Sequence, residues 1–181
     1  GTGHGARGTS VASVMLPFTK AKNFVAGHPL AGSHERGLAA ASADLFKGRS
    51  WFLERHDPVV DRMVADCGAR IEIVSAEEHD AAVALTSHLP QLLSTALASY
   101  LDERGIDDRF AGTGLQTFLR LAGSDASVWS PVLKANRANI DHAIDAVLGI
   151  ARKMLDGDKT AFENANAFMS RLLAARRPPL A

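Results

Sequence analysis

The sequence predicts an α/β segment, the remnant of a doubly wound sheet, followed by an all-α domain. Two observations predict this division. The first 74 residues alternate short β-type runs with helical runs, which is the order that builds a doubly wound sheet. After them, apolar residues recur at helical spacing to the end of the chain. The boundary is expected at Val74 or Ser75, which gives segments 1–74 and 75–181.

The first segment is expected to contain three strands and two helices. Runs rich in aromatic and β-branched residues predict the strands: residues 24–26, 50–54 and 70–74. A helix over residues 35–46 should end at Gly48. A second helix over residues 58–67 follows Asp57, a capping residue that stands directly before a proline. Gly68 should end this second helix.

The second segment begins with a capping box formed by Ser75 and Glu78. It opens a long predicted helix over residues 76–103, which Pro90 should kink or interrupt. Periodicity and turn residues predict three further helices: residues 115–122, 131–155 and 160–175.

Charge and cysteine usage exclude several classes of protein. The 181 residues contain 20 Lys and Arg against 20 Asp and Glu, so no basic field would attract nucleic acid or an anionic membrane. No apolar run approaches the roughly 20 residues that span a bilayer. Cys67 is the only cysteine, which excludes an internal disulfide and favours a reducing, cytoplasmic location. No set of Cys, His, Asp and Glu has zinc spacing, so no metal site is predicted.

His28 is the first candidate for chemistry. It follows the expected strand 24–26 and Gly27, and in an open α/β sheet ligands lie just beyond the carboxyl ends of strands. Pro29 favours an extended backbone at His28. Spacing alone favours a histidine that merely caps the strand, so at this point both interpretations stay open.

Arg120 is the second candidate. It lies in the apolar run LQTFLRLA, so its guanidinium is expected to be at least partly buried, and a buried cation needs an anionic partner. That partner could be a carboxylate of the chain, such as Asp108 or Asp125. It could also be the carboxylate of a substrate, which arginine binds through two parallel hydrogen bonds.

Four motifs in order resemble those of the prephenate and arogenate dehydrogenases. The first, around His28, is similar to the family's H-P-x-A-G signature. The others resemble its D-L-F-x-G-R turn, its S-x-E-x-H-D…S-H-L-P-H helix and its T-R-I-A-x-S-D-P-x-x-W…N segment. They occupy residues 38–54, 75–91 and 114–136. The resemblance covers about residues 11–155.

The resemblance implies an enzyme of tyrosine biosynthesis. Such an enzyme uses NAD or NADP to convert prephenate to 4-hydroxyphenylpyruvate, or arogenate to tyrosine, by oxidative decarboxylation. It also implies a Rossmann-like nucleotide-binding domain and a helical domain that forms an intertwined homodimer. Family members begin with a glycine-fingerprint βαβ unit, so this chain resembles the C-terminal portion and is expected to bind the cofactor poorly by itself. The run at Gly3, Gly5 and Gly8 spells G-x-G-x-x-G, but no strand precedes it and no amphipathic helix follows.

Residue by residue, the resemblance implies a catalytic and a substrate-binding set. His28 corresponds to the catalytic histidine, and Ser13 to a serine that hydrogen-bonds that histidine or the substrate hydroxyl. The substrate-binding residues would be Arg120, for a carboxylate, together with His88, Gln91 and Trp129. Gln91 stands where the family often has a second histidine. The positions of His79 and His142 are typical of solvated helix-face histidines, and the cofactor-binding residues stay unknown.

One alternative comes from a different class of protein. The chain could be a non-catalytic module, derived from this family, that binds aromatic acids and dimerises without a cofactor.

Overall fold

The computed structural model describes residues 6–32 and 41–175. The chain forms two compact units, and the first ends at Ile140 while the second begins at Asp141. All of the strands in the described residues belong to the first unit. They are β1 (Gly8–Thr9), β2 (Phe24–Val25), β3 (Gly27–Pro29), β4 (Ser50–Leu53) and β5 (Arg70–Ile73).

The strands form two small sheets. β1 pairs in parallel with β2, and a three-stranded sheet has the order β3-β4-β5. β4 and β5 are parallel, whereas β3 is antiparallel to β4, with His28 opposite Phe52. The three expected strands are confirmed. His28, expected just beyond the strand 24–26, lies within a separate strand, β3, and its backbone is extended, as the following proline predicted.

Helix α1 (Pro58–Asp66) forms the crossover between the parallel strands β4 and β5, as expected. Asp57 caps it by accepting hydrogen bonds from the amides of Val59 at 3.0 Å and Val60 at 3.3 Å. Gly68, at φ +71°, ends it in the left-handed conformation. A helix was expected over residues 35–46. Its end is wrong, because residues 43–48 form turns. Residues 33–40 lie outside the described residues.

The long predicted helix has three consecutive parts. α2 (Ala76–Val83) begins at Ser75, whose hydroxyl accepts from the amide of Glu78 at 3.1 Å, which confirms the predicted cap. A π-helical turn (Ala84–His88) joins it to α3 (Leu89–Glu103). The interruption expected near Pro90 therefore takes the form of a widened turn just before the proline, which has no N–H to donate to the preceding turn.

Four further α-helices follow within the described residues: α4 (Thr113–Leu119), α5 (Ala126–Ala135), α6 (Arg137–Leu155) and α7 (Thr160–Ala175). The last helix is confirmed. The single helix predicted over residues 131–155 is wrong, because α5 begins earlier, after its cap Asp125, and the helical backbone breaks at Asn136. At this break the side chain of Asn136 bonds to Asp80 and His88, which are distant in the sequence.

Two apolar clusters pack beside the strand that carries His28. The larger joins the sheets to α1 and consists of Val25, Trp51, Leu53, Val60 and Val64. Burying a valine such as Val64 completely stabilises a fold by about 2 kcal/mol. The smaller cluster joins Met15, Ala26 and the start of α2 at Ala76.

Gly27 lies at the tightest point beside His28. A Cβ there would lie 2.5 Å from the hydroxyl of Thr9 and 2.8 Å from a methyl of Leu53, so only glycine fits. Ser10 bonds to both backbone groups of Gly27: its hydroxyl donates to the carbonyl at 2.6 Å and accepts from the amide at 3.2 Å. The backbone that carries His28 is therefore held from two sides.

The second unit contains most of α6 and α7, and both helices expose apolar side chains. The exposed set is Leu148, Ile150, Leu155, Phe162, Phe168, Met169 and Leu173. None of the helices in the described ranges is both long and apolar enough to cross a membrane.

Candidate active site

His28 and His79 meet at the interface of β3 and α2. The Nδ1 atom of His28 lies 2.9 Å from Nε2 of His79, and the two rings are nearly perpendicular. His28 is half-buried, while His79 is only 3 % exposed. The expectation that His79 is solvated is wrong, because this face of α2 packs on the sheet, with the Phe52 ring 5.5 Å from the imidazole.

Asp80 holds this histidine pair in place by its contact with His79. Its carboxylate lies 2.8 Å from Nδ1 of His79 and accepts from the amides of Met15 at 2.8 Å and Leu16 at 3.0 Å. Burial by itself would raise the pKa of Asp80, but the hydrogen bonds from His79 and the two amides outweigh it, and the net pKa is lowered. Asp80 is therefore a buried carboxylate that stays ionised. Sequence reasoning missed its role, although the H-D pair of the third motif was a signal.

The hydrogen-bond network suggests which ring nitrogens carry protons. An ionised carboxylate only accepts, so Nδ1 of His79 donates to Asp80. With a proton on Nδ1 alone, His79 offers Nε2 as an acceptor. Nδ1 of His28 then donates to that atom. In a neutral imidazole the remaining nitrogen is unprotonated, so Nε2 of His28 carries a free lone pair.

The electrostatic environment keeps His28 neutral. Burial, followed by the neighbouring His79 and His88, lowers the pKa of His28 from 6.5 to about 4, and only the charge of Asp80 opposes them. At neutral pH the side chain is therefore a base without a proton on Nε2. This is the protonation state that a general base needs before it acts.

His88 lies at the end of the π-helical turn and is completely buried. Its Nδ1 is 3.1 Å from the amide nitrogen of Asn136, which also donates to the backbone carbonyl of Asp80 at 2.7 Å. Nδ1 of His88 is thus the acceptor and Nε2 carries the proton, with the backbone of Ser13 close to this side chain. Burial lowers the pKa of His88, against smaller raising effects of Asp80 and the backbone of Ser13. Trp129 packs edge-on, with its ring 6.0 Å from the imidazole.

The structure thus brings three of the predicted site residues, His28, His88 and Trp129, into one neighbourhood, together with His79 and Asp80, which were not predicted. Ser13 also lies in this neighbourhood, because its backbone is close enough to His88 to raise the pKa of that side chain. Asn136, which sequence reasoning did not select, connects His88 to Asp80. The signal for it was the final asparagine of the fourth motif.

Arg120 belongs to a second group, around the turn that follows α4. Its side chain is exposed, so the expectation that apolar neighbours would bury it is wrong. Residues 120–123 form turns, and a turn directs the guanidinium away from the apolar side chains beside it in sequence. Gln91 is buried beneath this turn, and its amide donates to the carbonyl of Leu121 at 2.8 Å.

The histidines and Asp80 do not form a metal centre. Within residues 6–32 and 41–175, no three His, Cys, Asp or Glu side chains are grouped so that they could hold a metal ion. The ring nitrogens of His79 are instead engaged by Asp80 and His28.

Comparison with known proteins gives one consistent result. The family model described as "Prephenate dehydrogenase, nucleotide-binding domain" matches residues 5–73, and the model "Prephenate dehydrogenase, dimerization domain" matches residues 75–161. The prephenate dehydrogenase of Lactococcus lactis is 31% identical over 130 residues, which are 70% of this chain but 36% of that protein. This chain therefore spans about a third of the length of that relative.

Two solved structures share the fold. Prephenate dehydrogenase from A. aeolicus, in complex with hydroxyphenyl propionate and NAD⁺, superposes with a TM-score of 0.75 at 25% identity. The match covers 94% of this chain and 65% of that chain. Synechocystis arogenate dehydrogenase gives a TM-score of 0.64 at 27% identity, with 94% and 66% covered.

Proposed function

This chain belongs to the prephenate dehydrogenase family, and we propose that it serves the NAD- or NADP-dependent oxidative decarboxylation of prephenate or arogenate. The observation that carries the proposal is the hydrogen-bonded series from Asp80 through His79 to His28, which leaves an unprotonated Nε2 on a half-buried imidazole. A module that only bound aromatic acids would not need a base prepared in this way. We therefore favour the catalytic function over the binding module.

His28 acts as the general base. As the ring carbon of the substrate is oxidised, its hydroxyl must lose a proton, and Nε2 of His28 accepts it. The imidazolium that forms is stabilised through His79, whose far nitrogen bonds to the ionised Asp80. Asp80 and His79 are positioning residues in this scheme, because they act on the substrate only through His28.

The other predicted site residues bind and orient the substrate. Arg120 holds a substrate carboxylate through its planar guanidinium, and its exposure leaves this cation accessible to a ligand. His88 donates a hydrogen bond to the substrate through its Nε2–H, and Trp129, whose ring packs against His88, supplies an apolar contact. Ser13 hydrogen-bonds His28 or the substrate hydroxyl.

The described residues do not fit the pyrophosphate of a dinucleotide. Two helices follow strands here, and the first turn of each carries acidic side chains: Asp61 in α1, and Glu77 and Glu78 in α2. Negative charge at a helix N-terminus opposes a phosphate. A bound nicotinamide supplies the hydride acceptor in this family's reaction, but no step at the cofactor is derived from these residues.

A homodimer is part of the proposal. The matched family model is a dimerization domain, and α6 and α7 expose seven large apolar side chains. Many exposed large apolar side chains are typical of a surface that an obligate interface covers, since such an interface is larger and more apolar than a transient one.

In a full-length protein that supplies the cofactor-binding unit, two substitutions test the proposal through their different kinetic effects. His28→Asn should lower the turnover rate by about 10²–10⁴-fold with little change in KM, because the base acts mainly as the hydroxyl loses its proton. Arg120→Ala should chiefly raise KM, because it holds the carboxylate in the ground state. Steady-state kinetics with prephenate and arogenate, each with NAD and NADP, measures both effects.

The control is His142→Asn, which changes an exposed histidine on α6 and should leave both constants unchanged. Near-normal turnover in His28→Asn would show that His28 is structural. Binding of an aromatic acid without any turnover in the parent protein would favour the non-catalytic module instead.

A further inference from the structure

We infer that Gln91 and Ser94 position Arg120 for the substrate carboxylate, and that Gln91 does not itself contact the substrate. This inference rests on the proposed function of Arg120. The family resemblance implies that Gln91 binds the substrate, whereas this inference gives it a positioning role.

The hydrogen bonds of Gln91 leave it little capacity for a ligand. Its amide nitrogen donates to the hydroxyl of Thr95 at 3.0 Å and to the carbonyl of Leu121 at 2.8 Å, which uses both of its N–H bonds. Its carbonyl oxygen accepts from the hydroxyl of Ser124 at 3.3 Å. The side chain is 4 % exposed. A substrate could gain a donor from Gln91 only by breaking one of these buried bonds.

Ser94 makes a second attachment one helical turn further along α3. Its hydroxyl is 1 % exposed and donates to the carbonyl of Phe118 at 3.0 Å. Gln91 and Ser94 are three residues apart, so they lie on the same face of the helix. Their acceptors, Phe118 and Leu121, lie on either side of Arg120 in sequence. We call these two attachments the α3 clamp.

The α3 clamp matters because Arg120 itself is exposed and unconstrained by packing. A long side chain on an unanchored turn would lose much conformational entropy on binding a carboxylate, and anchoring the backbone removes part of that loss. α2, which precedes α3 through the π-helical turn, carries His79 and Asp80. The residues that position the general base and the turn that carries Arg120 are thus attached to one helical segment of the first unit.

Amide hydrogen exchange tests the clamp without any ligand. Gln91→Ala and Ser94→Ala should speed exchange at the amides of residues 120–124 by about ten-fold, since local opening of this turn becomes easier. Ser99→Ala is the matched control, because Ser99 is exposed on the same helix and bonds only to Glu103 at 3.4 Å. Unchanged exchange in both clamp variants would overturn the inference.

A double-mutant cycle tests whether Gln91 acts through Arg120. The probe is 4-hydroxyphenylpropionate, titrated calorimetrically into the chain. Gln91→Ala should weaken binding about ten-fold in the parent but not at all in an Arg120→Ala background. Ser94→Thr, which keeps the hydroxyl, should bind like the parent.

The outcomes separate this inference from the proposed function. Additive losses in the cycle would mean that Gln91 contacts the ligand directly, which contradicts the inference while leaving the function intact. A parent chain that does not bind the probe would contradict the proposed substrate class. In that case the exchange data alone decide whether the α3 clamp exists.

Discussion

Replacing Asp80 by asparagine should destabilise the fold strongly, although the two side chains have the same shape. The carboxylate accepts three hydrogen bonds at 2.8, 2.8 and 3.0 Å in a site that is 1 % exposed. Asparagine keeps one accepting oxygen and turns the other into an N–H₂ group that faces a backbone N–H. At least one hydrogen bond to a charged group is lost, worth about 1.5–3 kcal/mol, and buried donors stay unsatisfied at about 1–3 kcal/mol. The expected loss is therefore about 3–5 kcal/mol.

The chain offers a matched control for this prediction. Asp61 and His56 form the same kind of pair, also at 2.8 Å, but their side chains are 27% and 69% exposed. Because water replaces a lost partner at an exposed site, Asp61→Asn should lower the free energy of unfolding by about 1 kcal/mol or less. Urea unfolding followed by circular dichroism, with linear extrapolation to water, measures both variants. If Asp80→Asn loses no more stability than Asp61→Asn, then Asp80 does not anchor the histidine pair and the argument for the base is unsound.

Two further predictions concern acid stability and association. Between pH 6.5 and about 4 the unfolded chain protonates His28 while the folded chain does not. Stability that is complete above pH 6.5 is therefore lost as the pH falls through this window, by up to about 3–4 kcal/mol. Urea midpoints measured against pH should therefore fall less steeply for His28→Asn than for the parent, and parallel curves would contradict the lowered pKa. The exposed apolar residues of α6 and α7 predict a dimer at micromolar concentration, which light scattering can measure; a clean monomer would count against it, and so would a dimer unaffected by Phe168→Asp.

Local signals in the sequence were sufficient for much of the fold. The cap at Asp57, the glycine stop at Gly68 and the cap at Ser75 depend on residues only a few positions apart, and each was found where it was predicted. The strand ending in Val25 and the last helix, α7, were also clear from periodicity. The family resemblance rested on the same kind of information, because its motifs are short and contiguous, and the matched family models agree with it.

The solvent exposure of individual side chains could not be predicted from such local signals. His79 looked solvated and is buried, whereas Arg120 looked buried and is exposed. A helical pattern indicates which residues share a face, but what packs on that face is decided by other elements. For His79 that element is the β-sheet with Phe52, and for Arg120 it is a turn that ends α4 before the apolar run is complete.

The sequence identified the candidate base but not the position of its proton. His28 could be selected from its motif, but the network that fixes its proton joins residues far apart in the chain. His28 and His79 are 51 positions apart, Met15 and Asp80 are 65 apart, and Asp80 and Asn136 are 56 apart. Hydrogen bonds between buried groups depend on distance and direction in space, which no local periodicity records, so only the tertiary structure decided which nitrogen of His28 is free to accept a proton.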